Sequence, residues 1–142
     1  EIGWRREDVY ITNIVKRRPP GNRDPLPEEI AAYQPYLERQ IELIRPTVIA
    51  PLGRFSMIYF LPAAKISRDQ GKLFRSGAWF VYPLFHPAAA LRGTGTLEAL
   101  RDAFRKLPAV VKKCLETPIE SVPDAGGVGR GTPPHETQEK LL

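Results

Sequence analysis

Residues that could do chemistry stand at the ends of apolar runs. Trp79-Phe80-Val81-Tyr82-Pro83-Leu84 leads directly into Phe85-His86-Pro87-Ala88-Ala89-Ala90-Leu91-Arg92. A buried strand that ends in a histidine, a proline and a small-residue loop delivers one imidazole at the carboxyl edge of a sheet, where open α/β sheets place their ligands. Asn13 interrupts the β-branched and aromatic run Val9-Tyr10-Ile11-Thr12-Asn13-Ile14-Val15, and Gly53 closes Thr47-Val48-Ile49-Ala50-Pro51-Leu52. Successive strand ends lie side by side in a parallel sheet, so Asn13, Gly53 and His86 are expected on one edge. An amide offers an acceptor and a donor pair, which suits an imide-like edge. An imidazole N–H suits an oxygen that gains negative charge as a leaving group departs. The ordinary alternative for Asn13 is a structural hydrogen bond to a neighbouring loop.

The elements that must position these residues follow from periodicity. Residues 9–15, 47–53 and 78–85 read as buried strands, because each run is short, apolar and rich in β-branched or aromatic residues. Pro27-Glu28-Glu29 opens a helix with proline and acids in its first turn. Ile30, Leu37, Ile41 and Ile44 share one face of that helix, and Pro35 is expected to split or kink it. A further helix runs from Arg54 to about Leu61, and residues 65–72 read as a surface loop and hairpin. A last helix from Leu97 to about Leu115 places Leu100, Phe104, Leu107 and Val111 on one face, with a break expected at Pro108. Strand alternating with helix argues for a parallel sheet with right-handed crossovers.

Composition bounds the rest. A chain of 142 residues with 42% hydrophobic residues is read as one core over residues 1–116, followed by a Gly/Pro-rich flexible tail at 117–142. Gly126-Gly127-Val128-Gly129-Arg130-Gly131 has no strand before it and no helix after it, so it does not read as a phosphate loop, and His135 reads as inert. The net charge of +5 favours a polyanionic partner. Lys16, Arg17, Arg18 and Arg23 stand in a proline-stiffened loop that suits phosphates, or that is simply a solvated loop. No apolar run reaches the roughly 18 residues of a membrane span, and the N-terminus does not resemble a signal peptide, so a cytoplasmic location is expected. Cys114 is the single cysteine, which rules out an internal disulfide and any multi-cysteine metal site within these residues. Glu1-Ile2-Gly3 reads as the last turn of a helix, so a preceding N-terminal portion is expected.

Four ordered segments carry a resemblance. Val9-Tyr10-Ile11-Thr12-Asn13-Ile14-Val15-Lys16, Arg18-Pro19-Pro20-Gly21-Asn22-Arg23-Asp24-Pro25, Gln40-Ile41-Glu42-Leu43-Ile44-Arg45-Pro46 and His86-Pro87-Ala88-Ala89-Ala90-Leu91-Arg92 resemble the thermophile-type, iron–sulfur uracil-DNA glycosylases, often called family four. The match runs from about Glu1 to Leu107, and Gln138-Glu139-Lys140-Leu141-Leu142 is similar to an ending seen in that family. The resemblance implies a three-layer α/β/α fold with a four-stranded parallel sheet, and a flipped uracil excised from DNA in base excision repair. It implies that Asn13 reads N3–H and O4, and that His86 bonds O2 and stabilises the uracil anion. Leu91 resembles the wedge that fills the vacated stack, against the alternative of a core leucine, while Arg92 and Arg23 would hold phosphates.

Two departures qualify that expectation. The family's first block, a strand leading into a Gly-Glu-Ala/Gly-Pro-Gly loop that positions the attacking water and carries an aromatic to stack on uracil, is not among the 142 residues. The sheet is therefore expected to lack its first strand, with another chain a candidate to cover the open edge. The family's [4Fe–4S] cluster needs four cysteines, and two of those places hold Arg17 and Tyr33, 16 residues apart. No cluster is expected, and a contact between Arg17 and Tyr33 is expected to tie loop to helix instead. The rival readings are a non-catalytic DNA- or protein-binding module that keeps the fold, and an unrelated α/β nucleotide-binding domain.

Overall fold

The structure, a computed structural model, describes residues 2–126. Most of the Gly-rich run, His135 and the C-terminal ending lie outside the described residues. The chain forms two compact units, Gly3–Pro46 and Thr47 onward, the latter joined by Ile2.

In the first unit a single 3₁₀ turn, Arg6–Asp8, closes through the Asp8 carboxylate, which accepts the Arg5 N–H at 2.8 Å. Residues 9–15 belong to no strand among the described residues, with bends at Val9, Ile14 and Val15, contrary to the reading of their composition. Strand propensity describes fitness for a pleated, half-buried surface, and a strand exists only where a neighbour takes its N–H and C=O groups. No described strand pairs here, and Tyr10 and Ile11 stay 53% and 63% exposed. The chain turns over at Pro20–Asn22, where Gly21 (φ 65°) and Asn22 (φ 55°) both enter the left-handed region.

Helix α1, Pro27–Ile44, begins with Pro27 at its first position, and the Glu29 carboxylate accepts the orphan Leu26 N–H at 2.9 Å. It runs unbroken through Pro35. It stops at Arg45 in the left-handed conformation, whose N–H reaches back to Ile41 O at 2.8 Å, with Pro46 preventing continuation. Leu37 and Ile41 are buried as the spacing requires, whereas Ile44 in the last turn is 47% exposed.

In the second unit β1 (Val48–Ile49) is followed by α2 (Arg54–Phe60), α3 (Ile66–Asp69), β2 (Phe74–Ser76), β3 (Trp79–Val81), α4 (Pro87–Ala90) and α5 (Thr94–Glu116). The sheet order is β1-β3-β2. β1 runs parallel to β3, with Val48 opposite Phe80, and β2 and β3 form an antiparallel hairpin. The described residues thus make a small mixed sheet of three strands, where a four-stranded parallel sheet short of its first strand, that is three parallel strands, is expected from sequence. The difference has two sources: residues 9–15 form no ladder, and the hairpin falls at 74–81 rather than 65–72, where α3 stands instead.

One core cluster of this unit lies between the segment that follows β3 and helices α4 and α5. Tyr82, Leu84, Ala90, Leu100, Ala103 and Leu107 pack together, with Phe104 and Val111 at the margin. A fully buried side chain of leucine size contributes about 1.5–3 kcal/mol by leaving water. The Tyr82 hydroxyl, deep in this layer, donates to Ala103 O at 3.1 Å, so its polar end is satisfied where it is buried. α5 continues through Pro108 without a break. Beyond it, residues 117–126 stay attached, contrary to a flexible tail beginning at 117: a 3₁₀ turn at Ile119–Ser121 precedes a bridge between Asp124 and Arg75, and Ala125 N–H bonds Arg75 O at 2.9 Å.

Candidate functional site

His86 is positioned by two parallel chain ends. After β3 the buried Tyr82-Pro83-Leu84 continues in register with the chain after β1, so that Leu52 and Leu84 bridge and Gly53 N–H donates to Leu84 O at 2.8 Å. This brings Gly53 against His86, as the sequence predicts. Gly53 has φ +86°, and a Cβ on it would stand 3.0 Å from His86 Cβ. Only glycine meets both demands, a left-handed φ and a close neighbour.

The imidazole is then fixed by its own loop. His86 occupies the N-cap of α4, and its Nδ1 accepts the Ala88 N–H at 3.1 Å, while Pro87 presets the first helical φ. With the Nδ1 lone pair engaged as an acceptor, the proton of a neutral ring sits on Nε2, which is left as its donor. The signal for this arrangement was the His-Pro pair after an apolar run, which is also an N-cap followed by N1 proline. Ala90 anchors the loop in the core, and Leu91 immediately after it is 88% exposed. The alternative of a core leucine is thereby removed. Arg92 is exposed and enters no ion pair among the described residues.

The first unit carries the other candidates. Asn13 is exposed, and its side-chain amide makes no hydrogen bond among the described residues. Its backbone oxygen accepts the Lys16 ammonium at 2.5 Å. Arg23 faces Glu29 in a fork of two bonds, Nη1 to Oε2 at 2.8 Å and Nη2 to Oε1 at 2.6 Å, and also donates to Asp24 O at 3.1 Å. Hydrogen bonds from Arg23 and then from Leu26 N–H hold the Glu29 carboxyl at about 2, well below its ordinary value. Of the five guanidinium protons of Arg23, the one on Nε and one on Nη2 remain for a ligand. The sequence carried no sign of the Arg23–Glu29 pair beyond the acidic first turn.

Among the described residues Arg17 makes neither a cation–π contact nor a hydrogen bond with Tyr33, contrary to expectation; the Tyr33 ring lies 6.4 Å from that of Tyr36. Nor do the residues present fit an iron–sulfur cluster. The chain has one cysteine where four thiolates are required. Cys114 is buried in α5, and burial pushes its thiol up, away from the thiolate a metal needs. Among the described residues no three His, Cys, Asp or Glu side chains gather as a metal site. A cavity of about 310 Å³ in the second unit is lined by Ile2, Leu100, Arg101 and Phe104 and holds none of the candidate residues. No helix among the described residues is long and apolar enough to cross a membrane.

Comparison with known proteins agrees with the motifs. A Type-4 uracil-DNA glycosylase of Archaeoglobus fulgidus is 45% identical over 115 residues, covering 75% of this chain and 58% of that protein. One of Saccharolobus solfataricus is 44% identical over 115 residues, covering 75% and 53%, and one of Thermotoga maritima is 46% identical over 95 residues, covering 65% and 50%. The chain thus spans about half the length of the curated relatives it matches. The family profile described as the Uracil DNA glycosylase superfamily matches residues 1–112, which, with a histidine capped at a sheet edge beside a glycine, makes this chain a member of that superfamily.

Proposed function

We propose that the protein removes uracil from DNA by hydrolysing the N-glycosidic bond. The observation that carries this reading is His86: its Nδ1 is engaged by Ala88 N–H, which leaves Nε2 as the donor of an exposed, anchored ring. Hydrolysis at a sugar–base bond leaves negative charge on the base and positive charge on the sugar. A neutral donor set in place beforehand stabilises the departing base without reorganising, which is the strongest help such a site can give. In this reading Nε2–H bonds uracil O2 as the bond breaks. Asn13 supplies an acceptor for N3–H and a donor for O4, and cytosine, with its donor and acceptor exchanged at that edge, is rejected.

The base must leave the duplex first. Leu91, exposed at the end of α4, fills the gap in the stack, and Arg92 holds a neighbouring phosphate. Arg23 contributes to phosphate binding through the two protons that Glu29 and Asp24 leave unused. The attacking water requires the Gly-Glu-x-Pro-Gly loop of the family, which these 142 residues do not contain. The single cysteine, Cys114, supplies at most one of the four thiolates that the family's cluster needs.

A uracil-containing labelled oligonucleotide, scored for abasic sites, tests the proposal. Release is expected in a preparation supplied with the missing loop, and His86→Ala is expected to lower it about 100- to 1,000-fold. Salt-sensitive binding without release, unchanged by His86→Ala, would favour the non-catalytic DNA-binding module instead.

A further inference from the structure

Lys16 lies at the centre of a cluster that the proposed reaction leaves unused. Its ammonium donates to Thr12 Oγ1 at 2.8 Å, to Gln40 Oε1 at 3.0 Å and to Asn13 O at 2.5 Å. The Thr12 hydroxyl closes the ring by donating to the same Gln40 Oε1 at 3.0 Å. An ammonium has three protons, and here three acceptors take them. Partial desolvation accordingly pushes the Lys16 ammonium down from its ordinary value.

The position of this cluster matters because of what surrounds it. Among the described residues no ladder bond is made at Asn13. Its carbonyl is held instead by a side chain three residues on, which is tied in turn to Gln40 on α1. An asparagine side chain has only two torsions, so the positions its amide can reach are set by where its backbone is held. We propose that Lys16 and Gln40 are positioning residues that lock the Asn13 peptide and so aim its amide at the base. The inference rests on the uracil-reading role of Asn13. It also withdraws Lys16 from the cations available to phosphate, because its donors are already committed.

The clamp is tested first in the full chain without DNA, by ¹⁵N relaxation at the Asn13 backbone amide. An order parameter near that of rigid backbone, about 0.85, is expected in the parent protein, falling below about 0.6 in Lys16→Met and in Gln40→Leu. Gln40→Glu keeps the acceptor and is expected to keep the order. Equal order in all four proteins overturns the proposal whatever the protein does to DNA.

The second measurement is binding to matched uracil and cytosine oligonucleotides over a range of salt. Lys16→Met and Gln40→Leu are expected to lose roughly 10- to 100-fold of the preference for uracil, the scale of a small misplacement of a contacting group. For duplex DNA the dependence of log affinity on log salt should stay unchanged in both. A slope reduced by about 0.9 in Lys16→Met, with preference intact, would make Lys16 a phosphate contact and overturn the clamp. If the parent protein shows no preference for uracil, the role of Asn13 is what fails, and the relaxation data still decide whether Lys16 and Gln40 hold its backbone.

Discussion

Gly53 lies against His86 so closely that a Cβ on the glycine would stand 3.0 Å from the histidine Cβ and 3.6 Å from Cγ and Cδ2. The two residues are brought together by the Gly53 N–H to Leu84 O bond, which registers one chain end on the other. Gly53→Ala therefore has two costs. It forces φ +86° on a residue with a side chain, and it displaces the imidazole. The backbone cost alone is about 1–3 kcal/mol, readable as a lowered denaturation midpoint. Uracil release should fall more than stability explains, since the displaced group is the proposed donor. A variant with parent-like midpoint and parent-like release would refute the tight fit.

His86 performs two tasks that a substitution can separate. Its Nδ1 caps α4 through Ala88 N–H, and its Nε2 is left to donate. Asparagine is a good N-cap whose side-chain oxygen can take the Ala88 N–H, but it cannot place a donor where Nε2 stands. His86→Asn is expected to fold like the parent, by circular dichroism and thermal denaturation, while losing uracil release as fully as His86→Ala. Retained release in the asparagine variant would show that the imidazole is not the group that meets O2.

The histidine loop was legible in sequence because its chemistry is local: an apolar run, an N-cap, an N1 proline and small residues stand consecutively from Trp79 to Leu91. Gly53 was legible for a similar reason, as a glycine closing an apolar run. Residues 9–15 carry equally strong strand composition, yet a strand depends on a partner that composition does not contain. The prolines misled in the opposite direction. Pro35 and Pro108 each remove one helical hydrogen bond, but α1 and α5 extend over 18 and 23 residues and run on through them. The Lys16–Gln40 and Arg23–Glu29 contacts were not legible, since their geometry depends on how a loop returns to α1.

Leu91 is so exposed that it contributes little to the fold. Leu91→Ala should leave thermal stability within about 0.5 kcal/mol of the parent. If the side chain fills the gap left by a flipped base, its loss should matter where a stack must be opened. Excision from duplex DNA is expected to slow several-fold more than excision from a single strand of the same sequence. Equal slowing on both substrates would remove the wedge role and leave Leu91 as a general contact.

The Arg23–Glu29 pair predicts a pH dependence whose direction is fixed by the carboxylate. Arg23, first, and then Leu26 N–H hold Glu29 at about 2 against an ordinary 4.5. A carboxyl depressed in the folded state stabilises the fold above its unfolded value, and that contribution is lost as pH falls from about 4.5 through about 2. Asp69, in the other unit, is held at about 2 against 3.8 by Arg68 and by Lys65 N–H, so it serves as an internal control. Carboxyl ¹³C titration of the parent should show both groups still ionised at pH 3. In Arg23→Gln, Glu29 should titrate higher, with only the Leu26 N–H at 2.9 Å still favouring its charge, and Asp69 should not move. The loop from Pro19 to Pro25 is then expected to loosen, seen as faster amide exchange at Asn22 and Arg23. Glu29 titrating near 4.5 in the parent protein would mean that the pair does not persist in solution and that the whole Arg23 fork is available to DNA.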